Sequence, residues 1–227
     1  MNIISRAVKP GIGSIELDNL AERTAIDGGD KPAFLNYKLY GAKRPYPASL
    51  CVSVNDEIVH GIPNEGDKIL KEGDIVSLDM GLVHKGLITD MAGTVAVGKI
   101  DESAKKLIEV CRESLMKGIE VAKGGNTIGD IGFAIERHTR PFGYGIVREL
   151  AGHGVGYKVH EEPYVPNFGK KGKGEKLEPG MILAIEPMIN EGTEKIILNK
   201  DGYTYRTKDG KKSAHFEHTI LITAKDA

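Results

Sequence analysis

The chain repeats itself faintly, and that repeat limits what it can fold into more than any other feature. KPGIGSIELDNLAE, starting at Lys9, resembles KGGNTIGDIGFAIE, starting at Lys123. His60-x-x-Pro63 resembles His160-x-x-Pro163, and LKEGDIVSLD, ending at Asp79, resembles LEPGMILAIE, ending at Glu186. The three matches fall in the same order in both halves. Any one could arise by chance, but three in order predict two related α/β halves packed around a shared centre. Each half would then donate one histidine and one carboxylate to that centre. In the second copy, Thr127-x-x-Asp130 has the form of a helix capping box.

The same comparison exposes a gap. Ahead of Lys123 lies DESAKKLIEVCRESLMKGIEVA, with Ala104, Ile108, Cys111, Leu115 and Ile119 at helical spacing, which predicts an amphipathic helix buried along that stripe. Ahead of Lys9 stand eight residues, so the first half is expected to lack most of its own first helix.

Composition removes several classes of function. Charged residues make up 28 % of the 227 residues and the net charge is −1, so no broad attraction to nucleic acid or to an anionic membrane is built in. Cys51 and Cys111 are the only cysteines, too few for a disulfide framework or a cysteine-bound zinc and consistent with a reducing compartment. MNIISRAVKPG lacks the apolar core of a signal peptide, and no run of about 18 apolar residues occurs. The chain reads as soluble and cytoplasmic, and we expect a monomer.

The strongest local chemistry lies in DIVSLDMGLVHKGLITDMAGTVAVG, residues 74–98. Two β-branched, apolar segments flank a turn near His84, Lys85 and Gly86, which signals a hairpin. A two-residue turn at His84-Lys85 would set Asp79 directly opposite Asp90; one at Lys85-Gly86 would make them diagonal neighbours. Either register points both carboxylates to one face. Flanked by Ile, Val, Leu and Met, carboxylates at this depth need a counter-charge, and a metal ion answers better than two solvated aspartates. Glu186, which ends MILAIEP, and Glu217, in FEHTILIT, are likewise ionisable groups in segments otherwise suited to burial. Together the four would carry four negative charges, which two divalent cations could neutralise. An oxygen-rich set completed by one neutral histidine favours manganese, iron or cobalt over a sulfur-bound structural zinc.

AGHGVGYKVHEEP, residues 151–163, places His153 and His160 seven apart. That spacing would stack them on a helix, but Gly152, Gly154 and Gly156 make a helix improbable, and an extended path lets the two rings diverge.

HGIP at 60–63, SLDMG at 77–81, ITDMAG at 88–93, GHGVG at 152–156, HEEP at 160–163, IEPM at 185–188 and FEHTI at 216–220 together resemble the type 1 methionine aminopeptidase family. The resemblance implies an α/β (α+β) pita-bread fold, two pseudo-symmetric halves around a central dinuclear metal site. It also implies one catalytic domain over residues 1–227, with pseudo-repeats at about 9–100 and 101–227. The family's five ligands fall on Asp79, Asp90, His153, Glu186 and Glu217, for two divalent ions of Mn, Fe, Co or Zn. The implied activity is hydrolytic removal of the initiator methionine from nascent proteins and peptides. Glu186 would shuttle the proton, and His60 and His160 would hydrogen-bond substrate around the scissile amide. Glu161 and Glu162 are then the carboxylates least suited to touch metal.

Matching the family's pattern, Tyr46 and Cys51 line the methionine pocket, helped by Tyr37, Tyr203 and Phe34. Tyr203 stands where some relatives have Trp and Val159 where an aromatic is common, which suggests a more open rim, and LYGAKR, residues 39–44, looks like extra sequence. His215, where many relatives carry Gln, is expected to support the ligands from behind, whereas His84, His138 and His218 are expected to be structural. KKGKGEK at 170–176 reads as a solvated, mobile loop, with docking on the ribosome as the alternative. Two other functions compete: an Xaa-Pro aminopeptidase or prolidase, and a non-catalytic module of the same fold.

Overall fold

The computed structural model describes residues 1–38 and 41–227, so Leu39 and Tyr40 of the LYGAKR stretch lie outside the described residues. Its centre is an eight-stranded sheet. In chain order the strands are β1 (Lys31–Pro32), β2 (Cys51–Val54), β3 (Ile75–His84), β4 (Leu87–Ala96), β5 (Gly152–Gly154), β6 (Glu161–Val165), β7 (Ile182–Ile185) and β8 (Glu217–Leu221). They lie in the order β1-β3-β4-β8-β7-β5-β6, with β2 also pairing with β3. Helices α1 (Asn2–Ala7), α2 (Ser14–Asp27), α3 (Glu102–Val121) and α4 (Ile128–Thr139) complete the frame. Two three-stranded sheets bring Ser213–His215 and Tyr205–Thr207 to the same centre.

The internal repeat is visible bond by bond. Gly11 N donates to Leu70 O at 2.8 Å and Leu70 N to Ile12 O at 2.9 Å; in the second half Gly125 N donates to Leu177 O at 2.9 Å and Leu177 N to Asn126 O at 2.8 Å. Gly73 N reaches Val97 O at 3.0 Å, as Gly180 N reaches Ile222 O at 2.9 Å. Each pair of bonds fastens a helix or a strand end to its own half, while β4 and β8 pair antiparallel where the halves meet. The hairpin turn falls at Lys85-Gly86, since His84 pairs with Leu87. A two-residue turn of this kind needs positive φ at both centres, and Lys85 and Gly86 have φ of 48° and 86°. Asp79 and Asp90 are thereby diagonal, Asp79 facing Ala92 and Asp90 facing Gly81.

Helix α3 forms as its periodicity predicts, with Asp101 Oδ1 accepting from Ala104 N at 2.6 Å as its N-cap. Its buried stripe differs from the expected one. Leu107, Val110, Ser114 and Gly118 are buried with Ala104, Cys111 and Leu115, while Ile108 and Ile119 are half-buried. The reason is close approach: Ile135 of α4 lies 3.1 Å from where a Cβ on Gly118 would stand, so α3 meets α4 at a glycine, with Leu115 and half-buried Ile119 packed beside it. In the first half, the six-residue α1 takes the place that twenty-residue α3 holds beside α4, and only Ile4 of it is buried.

At α4 the capping box forms, Thr127 N donating to Asp130 Oδ2 at 2.8 Å. The Lys- and Gly-rich segment is exposed throughout, as its composition predicts. Its backbone meets the helix start, Lys173 O accepting from Gly129 N and Glu175 O from Ile128 N, both at 2.9 Å, which satisfies donors that a helix N-terminus otherwise leaves unpaired. Gly129 makes the contact feasible, since a Cβ there would lie 2.4 Å from Lys173 O, and just ahead of the segment a Cβ on Gly132 would lie 2.3 Å from Phe168 O. Replacing a helix-interior glycine by alanine ordinarily stabilises by about 1 kcal/mol. Here the overlap reverses the sign: Gly132→Ala should destabilise by about 1–3 kcal/mol in urea unfolding, whereas solvent-facing Lys117→Ala should change stability by less than about 0.5 kcal/mol.

Candidate metal centre and substrate pocket

The site is assembled as a row across the central sheet. Cys51 of β2 pairs with Asp79 of β3, Asp79 with Ala92 of β4, and Ala92 with Glu217 of β8. Residues opposite one another across a ladder share a face, and so do residues two apart on a strand, which adds Asp90. Ala92 is fully buried between the carboxylates, and its methyl leaves the space between them open. From the other half, His153 of β5 pairs with Ala184 of β7, and Glu186, two residues on, continues that face. Gly152 and Gly154 let β5 approach, since a Cβ on either would stand 2.2 Å from Ala184 O or 2.1 Å from Glu162 O.

Where β4 meets β8, hydroxyls replace part of the backbone ladder. Thr219 Oγ1 accepts from Asp90 N at 2.7 Å and donates to Asp90 O at 2.8 Å. Thr94 does the same to His215, accepting from its N at 2.8 Å and donating to its O at 3.0 Å. The two threonines hold Asp90 and His215 from opposite strands.

Ligand-type atoms of Asp90, His153 and Glu217 all lie within 4.8 Å of one another, as do those of Glu186, His215 and Glu217. Asp79 Oδ1 and Glu217 Oε1 are buried with no hydrogen-bond partner among the described residues. No lysine or arginine is among the described residues lining the cavity. Burial, then repulsion from Asp90 and Glu186, holds Asp79 well above the usual carboxylate range. Burial pushes Asp90 up to about 7, and burial, then repulsion from Asp90, raises Glu186 and Glu217. Such a cluster requires protons or cations, so its donor set fits divalent metal ions. His153 Nδ1 is engaged by Gly154 O at 2.8 Å, leaving Nε2 turned toward Glu186, the orientation that a hydrogen bond on one ring nitrogen gives a metal-binding histidine.

His60 and His160 stand beside this cluster. His160 lies 4.4 Å from His153 between ring centroids, and a 2.9 Å hydrogen bond joins its Nδ1 to Tyr37 Oη. Desolvation lowers His60 to about 4 and His160 to about 3, so both rings are neutral at pH 7. His60 occupies the left-handed region with φ of 58°, a conformation that a non-glycine residue adopts at a cost of about 1–3 kcal/mol and that turns its ring into the cavity. Phe34, Tyr37, Tyr46, Cys51 and Tyr203 line the same cavity on its apolar side. Tyr46 Oη donates to Gly61 O at 3.0 Å and packs edge-on against Tyr203 at 5.2 Å.

All eleven residues expected at the site, and Phe34, therefore face one cavity. Tyr203 and Val159 are each 3 % exposed, and Tyr203 Oη donates to the carbonyl of Arg44, so the described end of the LYGAKR stretch covers this side. Glu161 turns away, its Oε1 accepting from Lys158 N at 2.6 Å. His84 pairs with Asp30 at 2.6 Å and His138 with Glu113 at 3.2 Å, both away from the cavity, while His218 Nδ1 contacts the Glu217 carbonyl. Sequence reasoning passed over Ala92, which carries no reactive group. It also missed Asn167, whose Nδ2 donates to Glu186 O at 3.0 Å, and the Tyr37–His160 bond, which spans 123 positions.

A carboxylate and histidine cluster at the joint of two like halves is a candidate metal centre. Residues 1–224 match the profile of metallopeptidase family M24, and the chain belongs to that family. The methionine aminopeptidase of Aquifex aeolicus is 45 % identical over 229 residues, covering 99 % of this chain and 88 % of the relative. The crystal structure of methionine aminopeptidase from Rickettsia prowazekii superposes with a TM-score of 0.93 at 40 % identity, over 100 % of this chain and 88 % of that one. X-Pro aminopeptidase from Thermotoga maritima shares the fold alone, with a TM-score of 0.73 at 18 % identity over 99 % of this chain and 54 % of that one.

The raised carboxylates set a pH dependence. Free of metal, the folded protein holds protons that the unfolded chain releases near pH 4, so their contribution to stability is lost as pH rises from about 4 through the folded value of about 7 at Asp90. Metal binding must displace those protons. The rise in melting temperature on adding Co²⁺ to chelator-treated protein should therefore be larger at pH 7.5 than at pH 5.5, read by scanning calorimetry.

Proposed function

We propose that the chain is a metal-dependent aminopeptidase that removes N-terminal methionine from peptides and nascent proteins. The observation that carries this reading is the single cavity in which the carboxylate and histidine cluster adjoins an apolar pocket. The naming of its relatives at 45 % identity over nearly the whole chain agrees. We assign Asp79, Asp90, His153, Glu186 and Glu217 as ligands of two divalent cations. When bound, these supply Lewis-acid polarisation of the scissile carbonyl and activation of water.

The chain's own groups do the rest. Glu186, within the cluster and 13 % exposed, takes the proton of the attacking water and delivers it to the leaving amine. With Tyr37 donating to His160 Nδ1, the neutral ring carries its proton on Nε2 and donates toward the substrate carbonyl. His60, also neutral, donates from the other half, and loss of one such donor typically costs on the order of 100-fold in rate. Phe34, Tyr37, Tyr46, Cys51 and Tyr203 form a pocket whose apolar walls suit an unbranched thioether. The whole chain acts as one catalytic domain, because each half contributes ligands that the other lacks. The exposed lysines Lys170, Lys171 and Lys173 offer a basic surface for docking on the ribosome, and their neutralisation should weaken co-sedimentation.

An Xaa-Pro aminopeptidase would share this fold, but the pocket beside the metals is apolar and narrow in chemistry, and identity to that group is low. Metal-loaded protein should release Met from Met-Ala-Ser, lose that activity with chelator, and leave an Xaa-Pro peptide intact. Cleavage of the Xaa-Pro peptide alone would reverse the assignment, and cleavage of neither with several metals would indicate a binding module. Asp79→Ala should abolish turnover and lower metal content. His160→Ala should cut turnover about 100-fold with metal content near wild type; equal metal loss in both variants would refute the division of labour.

A further inference from the structure

His215 lies outside the five-residue ligand set, yet its placement resembles that of His153. It is 1 % exposed, and neither ring nitrogen has a hydrogen-bond partner among the described residues. Buried polar groups are normally paired, so an imidazole this deep with both nitrogens unengaged calls for a partner. Its backbone is held on both sides by Thr94, whose Oγ1 is in turn 2.8 Å from Ser77 Oγ. The ring is thus set in place from the first half of the chain.

Glu186 lies between two imidazoles. Its Oε1 is 3.4 Å from His153 Nε2 and its Oε2 is 3.5 Å from His215 Nε2. Hydrogen bonds from ring N–H to carboxylate run at about 2.7–3.2 Å. Two atoms bound to one ion at about 2.1 Å and separated by angles of about 90–110° lie roughly 3.0–3.4 Å apart. Both observed distances fall closer to the second spacing, and Glu217 completes a group with Glu186 and His215 whose ligand atoms lie within 4.8 Å of one another.

We propose that His215 is a sixth protein ligand of the metal centre, binding through Nε2 the ion held by Glu186 and Glu217. The inference rests on the proposed metal centre and adds to it. Glu186, 3.4 Å from His153 and 3.5 Å from His215, then stands between two imidazole donors. A second nitrogen donor moves the centre's preference toward Co²⁺, Fe²⁺ and Zn²⁺ and away from Mn²⁺, which suits all-oxygen sites better. A glutamine at this position would offer only an amide oxygen.

The test uses the full chain, stripped with chelator and reloaded with Co²⁺. Proton NMR of the Co²⁺ protein in H₂O should show two strongly shifted, exchangeable imidazole N–H signals in wild type and one in His215→Gln. Calorimetric titration should show two Co²⁺ bound in wild type, with one site weakened about tenfold or more in His215→Gln and a smaller loss for Mn²⁺. A single shifted signal in wild type with two Co²⁺ bound would overturn the proposal and leave His215 as a hydrogen-bonding neighbour of Glu186. Unchanged Co²⁺ affinity in a folded His215→Gln would do the same. No Co²⁺ uptake by wild type would instead overturn the metal centre itself. The wild-type signal count stands even if the variant fails to fold.

Discussion

Four carboxylates facing one water-poor cavity repel one another, and the rest of the structure answers to that repulsion. Asp79, Asp90, Glu186 and Glu217 are all driven toward their protonated forms by burial, and Asp79, Glu186 and Glu217 also by repulsion from neighbouring carboxylates. A protein that needed only stability would not bring them together, because apolar residues of the same volume would pack there at lower cost. The cluster is tolerable because a cation converts the repulsion into binding energy. Strain elsewhere points the same way, with His60 held at positive φ and neither ring nitrogen of buried His215 hydrogen-bonded among the described residues.

Holding such a cluster requires rigid backbone on both sides, and the repeat provides it. The halves meet at β4 and β8, where Glu217 pairs with Ala92. Thr94 and Thr219 reach across that joint in opposite directions, each binding both the N–H and the carbonyl of one residue of the other half. A carboxylate on one strand is thereby positioned by a hydroxyl from the other. Neither half alone has a complete site.

Much of this was legible along the chain. The hairpin and the face shared by Asp79 and Asp90 follow from side-chain alternation and the turn residues, and helices α3 and α4 follow from period and capping. The stripe on α3 is wider than its apolar periodicity shows, because Gly118, which no hydrophobic count rewards, makes the close approach to Ile135. The composition of 170–176 is that of a solvated loop, and the segment is exposed throughout; that its carbonyls meet α4, where Gly129 lacks a side chain, is not legible along the chain. The contact of Tyr203 with the Arg44 carbonyl, 159 positions away, is likewise not legible along the chain.

The sequence by itself determined the two-half plan, the identity of the chemical groups and the strand faces on which they lie. Those are consequences of local periodicity and of a repeated pattern, which act over a few residues at a time. Only the tertiary structure decided which groups share an ion-sized space. That depends on the register of β4 against β8, on the close approach that Gly152 and Gly154 permit, and on the methyl of Ala92 between two carboxylates. It also set His215 against Glu186, because the distance between two side chains 29 positions apart in the chain is set by how sheets pack, not by their spacing in sequence.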